Sequence, residues 1–87
     1  MAPDSPLEFP CALPIKIMGR TSEAFREAAL AIVRAEFAEL TDADVTENSS
    51  REGRYTSLTV TVHARSREQL DAVYRELSAH ELVLVVL

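Results

Sequence analysis

The chain has 87 residues, of which 47% are hydrophobic and 26% charged, so it has room for one domain with one small core. Its net charge is −5 and neither half is basic, so the sequence lacks the excess of positive charge that is typical of a protein that binds a phosphate backbone. A single cysteine excludes an internal disulfide bond, and the sequence has no apolar run long enough for a membrane span.

These properties predict a cytoplasmic protein. Asp4 and Glu8, together with the lack of an apolar stretch near them, argue against a signal peptide. The short, polar start of the chain contains prolines, and we expect a flexible segment at residues 1–10 followed by a single domain at residues 11–87.

The first predicted strand covers residues 13–18, where large apolar residues alternate with others. Pro14 lies near its start, where a missing hydrogen-bond donor is tolerated. Thr21 or Ser22 is expected to cap the first helix, which has an apolar residue at each helical turn and is predicted to end near Glu39.

A polar edge strand is predicted at residues 43–49, and a turn at residues 50–53 joins it to the strongest strand in the sequence, residues 54–64. Side chains alternate along a strand. One face of residues 54–64 therefore holds Leu58, Val60, Val62 and Ala64, and the other holds Tyr55, Ser57, Thr59, Thr61 and His63. We expect the apolar face to pack on helices and the polar face to be open.

A second helix follows directly, because Ser66 and Gln69 have the spacing of a capping box. Its apolar residues lie at helical spacing: Leu70, Val73, Tyr74 and Leu77. After a turn, the six residues 82–87 are all apolar and predict a final strand at the edge of the sheet.

The order β-α-β-β-α-β predicts an α+β protein with the ferredoxin-like fold. In this fold four antiparallel strands lie in the order 4-1-3-2 and both helices cover one face. The opposite face and the apolar strand at residues 82–87 would stay uncovered, which predicts contact with a second copy or another protein. The alternative is that residues 7–10 cover them.

The sequence also resembles the YbeD-like family of bacterial proteins over about 80 residues. The resemblance is carried by Leu7-Glu8-Phe9-Pro10, Lys16-Ile17-Met18-Gly19, Ser49-Ser50, Gly53, Tyr55, Ser57, Thr59, Ala64, Glu68-Gln69, Tyr74, Leu77 and Val86-Leu87. It implies a fold like that of the ACT regulatory domain and a role that is unknown or regulatory. It implies no catalytic residues. Ala12, Leu13 and Ile15 depart from the pattern, since relatives often have proline, phenylalanine and another aromatic residue there.

A candidate ligand site is the turn Gly19, Arg20, Thr21 and Ser22, which combines a cation, hydroxyl groups and the free amides at a helix N-terminus. Such groups attract a small anion. The resemblance points to the same loop, because ACT domains bind amino acids near it. The alternative is that these residues form only a turn and a helix cap.

Catalytic and metal sites are not indicated by the sequence. Cys11 has no activating base near it, and the two histidines, His63 and His80, have no further ligands at metal-binding spacing. A small hydrolase or acyl-handling enzyme that uses Cys11 or Tyr55 is the alternative to a non-enzyme. Tyr55 is the one stacking aromatic residue expected on the open face, which argues against RNA binding.

We therefore predict a regulatory or protein-interaction domain without a cofactor, which forms a dimer or acts on a metabolic enzyme, with a small anionic ligand as a modulator. The predicted interaction surface consists of Lys16, Tyr55, Ser57, Thr59, Leu82, Leu84 and Val86.

Overall fold

The computed structural model describes residues 8–87, which form four strands and two helices in the predicted order. The strands are β1 (Cys11–Arg20), β2 (Val45–Ser49), β3 (Tyr55–Ala64) and β4 (Val85–Val86), and the helices are α1 (Glu23–Glu36) and α2 (Arg67–Ala79). Neighbouring strands are antiparallel and lie in the order β2-β3-β1-β4. The predicted ferredoxin-like fold is confirmed.

The hydrophobic core lies between the sheet and the two helices. β1 contributes Ile15 and Ile17, and β3 contributes every second residue from Leu58 to Ala64. The helical side of the core consists of Phe25, Ala29, Leu30, Val33, Leu70, Val73 and Leu77. Because these residues repeat with period two in the strands and about 3.6 in the helices, each element buries one side only.

β1 is longer than predicted and includes Pro14 within its ladder to β3, opposite Thr61. The amide of Lys16 points to β4, where it donates to the Leu87 carbonyl at 3.1 Å. Along a strand the amide two residues away points to the same side, so the nitrogen of Pro14 also points there, beyond the end of β4. Proline therefore removes no hydrogen bond from the ladder.

α1 ends at Glu36, about one turn before the predicted end. The Phe37 amide still donates to the Val33 carbonyl, but Phe37 has a φ of −127° and a ψ of 74°, which are not helical values. Phe37 and Leu40 remain buried in the core because a turn brings them back to it. A single 3₁₀ turn, Asp42–Asp44, then occupies the residues predicted as the start of β2.

Ser66 caps α2 as predicted, but the second half of the capping box differs: the Gln69 side chain accepts the amide of Arg65, not that of the cap residue Ser66. The Ser66 hydroxyl accepts a hydrogen bond from the Gln69 amide at 3.3 Å, and Gln69 Oε1 accepts one from the Arg65 amide at 2.7 Å. Gln69 Nε2 also donates to the Glu36 carbonyl, which connects the start of α2 to the end of α1. The cap thus fixes the relative position of the two helices as well as the helix end.

β4 is much shorter than the predicted strand at residues 82–87. Val85 lies opposite Met18 and Val86 opposite Ile17, and Leu87 exchanges two backbone hydrogen bonds with Lys16. Before β4, the Leu82 amide donates to His80 Nδ1 and the Val83 amide to the His80 carbonyl. These turn contacts hold Leu82 and Val83 out of the strand.

The predicted flexible segment falls largely on residues 1–7, outside the described part of the chain. Among residues 8–10, Phe9 is half-buried and packs against the core, while Glu8 and Pro10 are exposed. Phe9 therefore covers the core between sheet and helices. The possibility that residues 7–10 cover the opposite face gains no support from Phe9.

Candidate functional site

The open face of the sheet, the side away from the helices, combines side chains from all four strands. Its central strand β3 contributes Tyr55, Ser57, Thr59, Thr61 and His63. Lys16 of β1 and Thr46 of β2 lie opposite Thr59 on its two sides. Four residues of the predicted interaction surface, Lys16, Tyr55, Ser57 and Thr59, thus lie together on this face, although a role in interaction stays a prediction.

A shallow depression of about 160 Å³ lies at one end of the open face. Met18 and Asn48 border it from either side of Ser57, which lies opposite both of them in the sheet. Tyr55 forms the wall nearest the β2–β3 turn. The Ser57 Oγ atom is buried and has no hydrogen-bond partner among the described residues, and a buried hydroxyl without a partner costs about 1–3 kcal/mol.

The charges of the protein are divided between its two sides. Within the four strands the only acidic residue is Glu47, and its carboxylate turns toward α1, where it accepts a hydrogen bond from Arg26 at 2.9 Å. Lys16 and Arg20 are exposed on the open face and form no ion pair with the described residues. The helices carry six carboxylates and four arginines: Glu23, Glu27, Glu36, Glu68, Asp71, Glu76, Arg26, Arg34, Arg67 and Arg75. The open face is therefore cationic in a protein whose net charge is −5.

An apolar edge borders the open face at β4. Leu84, Val85 and Leu87 are exposed by 55%, 42% and 66%. The predicted row of Leu82, Leu84 and Val86 needs correction, because Leu82 and Val86 are half-buried against the core. Val86 lies opposite the fully buried Ile17, so the alternation places Val85 and Leu87 on the open face instead.

In the candidate ligand loop, residues 19–22, both hydroxyl side chains form hydrogen bonds within the protein. The Ser22 hydroxyl accepts the Phe25 amide at 3.0 Å as the helix cap, and the Thr21 hydroxyl hydrogen-bonds Thr56 at 2.8 Å. Gly19 faces the core, whereas Arg20 lies on the open face opposite Tyr55. The four predicted residues therefore do not converge on one point.

The cavity beside this loop, about 210 Å³, is also lined by Glu23, Arg26 and Glu47. The hydrogen bond and the charge of Glu47 raise the pKa of the Arg26 guanidinium above its ordinary value, so this partly exposed cation is already paired with a carboxylate of the same chain. Two carboxylates repel an anion from such a cavity. Anion binding at residues 19–22 stays a prediction, and this geometry gives it little support.

The two residues of the enzyme alternative lie far apart. Cys11 is half-buried at the start of β1, opposite Ala64, and Tyr55 is at the other end of the same ladder, opposite Arg20. Nine residues of strand separate the two ends, which is roughly 30 Å. Cys11 and Tyr55 therefore cannot act in one site, and no hydrogen bond joins either side chain to another described residue.

We expect Cys11 to behave as an ordinary thiol. A disulfide reagent at neutral pH should label it no faster than the thiol of an unstructured cysteine peptide, because no described residue acts as a base for it. The measurement is the second-order labelling rate followed by mass spectrometry, with the same peptide as the control. A rate more than about tenfold above that of the peptide would support a nucleophilic Cys11.

The two histidines also lie apart. His63 is exposed at one end of the open face, and His80 Nδ1 accepts the Leu82 amide in the turn before β4. Residues 8–87 contain no cluster of three or more histidine, cysteine or acidic side chains that could hold a metal ion. Neither described helix is long and apolar enough to cross a membrane.

Sequence reasoning did not assign Met18, Arg20, Asn48, Val85 and Leu87 to this surface. Met18 and Arg20 have the same strand parity as Lys16, which would have placed them on the open face. Asn48 can be placed on the open face only when the register between β2 and β3 is known, and Val85 only when the register between β1 and β4 is known. An all-apolar strand does not indicate which of its rows faces the core.

Comparison with known protein families gives one clear match. Residues 4–87 match the family model described as "Protein of unknown function (DUF493)". A UPF0250 protein of Paraburkholderia phytofirmans is 49% identical over 84 residues, which cover 97% of this chain and 94% of the relative. A UPF0250 protein of Nitrosomonas europaea is 41% identical over 87 residues and covers 100% of both chains.

Two solved structures share the fold. The ACT domain from GTP pyrophosphokinase of Chlorobium tepidum superposes with a TM-score of 0.67 at 12% identity, over 88% of this chain and 83% of that one. Protein HP0495 from H. pylori has the same TM-score and identity, over 97% of this chain and 88% of that one. At this identity the likeness establishes the ACT-like fold alone.

Proposed function

Since the chain belongs to the DUF493 family of proteins of unknown function, we propose that it is a regulatory domain that acts by binding another protein through the open face of its sheet, and that it is not an enzyme. The observation that carries this proposal is the combination of an uncovered sheet face with an apolar edge. Leu84, Val85 and Leu87 are exposed beside a face that already presents Met18 and Tyr55. Large apolar side chains grouped at one place on a small protein are typical of an interaction surface.

A metabolic enzyme is the kind of partner we propose. The structural neighbour from Chlorobium tepidum is an ACT domain that belongs to a GTP pyrophosphokinase, an enzyme. The present chain has the same fold as this ACT domain. A regulatory role of the same kind would act on an enzyme, and the open face is the surface that the helices leave uncovered for such a contact.

A second copy of this chain is the other partner that the sequence suggested for the open face. A symmetric dimer that packs open face on open face would bury Lys16 and Arg20 of both copies in one interface, because the same patch is used twice. The described face has no strand carboxylate to pair with these cations, so their mutual repulsion opposes this arrangement. We therefore favour a different protein as the partner and expect the purified chain to be a monomer at micromolar concentration by light scattering.

The test compares recovery of partners from the cytoplasm of the native bacterium with three forms of the tagged chain. Thr59→Glu places a carboxylate at the centre of the cationic open face, whereas Ala31→Glu places the same side chain on the exposed surface of α1. We expect the wild type and Ala31→Glu to retain the same partner in equal amounts and Thr59→Glu to lose it. Equal recovery by both variants, with both folded by circular dichroism, would contradict the proposed surface.

A further inference from the structure

We propose that the open face binds an acidic, extended segment of the partner protein and that this segment inserts one apolar side chain into the depression between Met18 and Tyr55. This inference rests on the proposed function, since it specifies the chemistry of the partner at the same surface. Charge, size and the chemistry of the depression each support it.

The charge of the face favours an acidic segment. Arg20 lies four positions after Lys16 on β1, so the two side chains project to the same side of the sheet, about 13 Å apart. The only carboxylate in the strands, Glu47, lies on the other side and is paired with Arg26. A segment laid across the face therefore meets two cations and no strand carboxylate. The net charge of −5 acts weakly against this contact, because charges beyond about 8–10 Å are screened by salt.

The size of the depression favours one side chain over a small-molecule ligand. Its volume is about 160 Å³, well below the roughly 300–1,000 Å³ of typical ligand pockets. Interfaces between proteins commonly depend on a single apolar or aromatic residue held in a pocket of this kind. Val85 lies opposite Met18, so the apolar surface continues from the depression to the β4 edge.

Polar groups at the depression suit the backbone of an extended segment. The Asn48 side chain carries both a donor and an acceptor, and the Ser57 hydroxyl has no partner among the described residues. Rotation of the Ser57 side chain about its Cα–Cβ bond would let its hydroxyl pair with a peptide group of the segment. An unpaired hydroxyl that gains a partner on binding contributes to affinity.

A nucleic acid also carries negative charge, but it fits this face less well. Binding of a phosphate backbone uses many cations, and binding of single strands uses several stacking aromatic residues. The described face presents Lys16 and Arg20 as its strand cations and Tyr55 as its aromatic residue. The proposal therefore commits to a protein segment.

The test begins with a displayed library of random 12-residue peptides selected against the full chain. We expect the enriched peptides to be rich in aspartate and glutamate and to share one large apolar residue. A synthetic peptide with the enriched sequence is then titrated by fluorescence anisotropy against the wild type, against Lys16→Glu with Arg20→Glu, and against the control Arg67→Glu with Arg75→Glu. The control makes the same change in net charge on α2.

We expect the open-face pair of substitutions to weaken binding about tenfold and the control pair to change it less than about twofold. The affinity for the wild type should also fall as salt is raised. Enriched peptides that are neutral or basic, or equal losses in the two double variants, would overturn the inference. Tighter binding of a poly(U) or poly(dT) 12-mer than of the peptide would overturn it in favour of a nucleic acid.

Amide chemical shifts separate the failure of this inference from the failure of the proposed function. Peptides that shift the amides of β1 and β3 without being acidic would leave the interaction surface in place and remove only the acidic partner. Peptides that shift only the amides of α1 and α2 would contradict both the acidic partner and the open face as the interaction surface. Shifts centred on Met18, Asn48 and Ser57 from an acidic peptide are the result that we expect.

Discussion

Replacing Phe25 with alanine is expected to lower the free energy of unfolding by about 3–5 kcal/mol, the usual loss when a large buried aromatic side chain is deleted. Phe25 is 1% exposed and lies in the first turn of α1. A domain of this size has a total stability of about 5–10 kcal/mol, so this one change removes roughly 30% of it or more. Urea unfolding followed by circular dichroism gives the measurement.

Leu84→Ala is the control for Phe25→Ala, because Leu84 is a large apolar residue with 55% of its surface exposed. The free energy of unfolding of Leu84→Ala should fall by less than about 1 kcal/mol, since the substitution removes little buried area. A Phe25→Ala variant that loses no more than Leu84→Ala would show that α1 does not pack on the sheet as described.

Replacing Gly19 with alanine is expected to cost about 3 kcal/mol, although glycine to alanine is a small change. A Cβ atom at Gly19 would lie 2.5 Å from the Phe25 ring and 2.6 Å from the Leu82 carbonyl oxygen. Both distances are far inside van der Waals contact, and one partner is backbone that cannot rotate away. Atoms added to a filled core force such shifts and destabilise the protein.

Gly53→Ala is the matched control for Gly19→Ala. A Cβ atom at Gly53 would meet nothing within 4 Å, but its φ of +74° lies in the left-handed region, so a loss of about 1–2 kcal/mol is expected from backbone strain alone. The double variant Gly19→Ala with Phe25→Ala should lose at least about 1 kcal/mol less than the sum of the two single losses, because the ring in conflict is absent. Strict additivity, or a stable Gly19→Ala, would contradict the packing role of Gly19.

The sequence was sufficient to predict the fold because its strongest signals are local. The alternation in β3, the cap at Ser66 and the apolar stripes of the two helices each report on contacts within a few residues, and the structure has all of them. The end of α1 was harder to predict. Phe37 and Leu40 continue the helical spacing of apolar residues and therefore look like part of α1, but in the structure they follow its end and a turn brings them to the core.

The features that sequence reasoning could not supply depend on contacts between distant residues. The need for glycine at position 19 comes from the carbonyl of Leu82, 63 positions further along the chain. The exposed row of the last strand depends on the pairing of Val86 with Ile17. In β3, a polar row identified the open face directly, whereas the apolar residues 82–87 contain no polar residue to do so.

Site-specific photo-crosslinking in the living native bacterium tests the central claim, that the open face contacts another protein, most directly. A benzophenone amino acid replaces Tyr55 on the open face and, in a second strain, Arg75 on the exposed surface of α2. The account predicts one discrete adduct from position 55, with a mass other than that of two copies of the chain, and none from position 75. Adducts from position 75 alone, from neither position, or with the mass of two copies would contradict it.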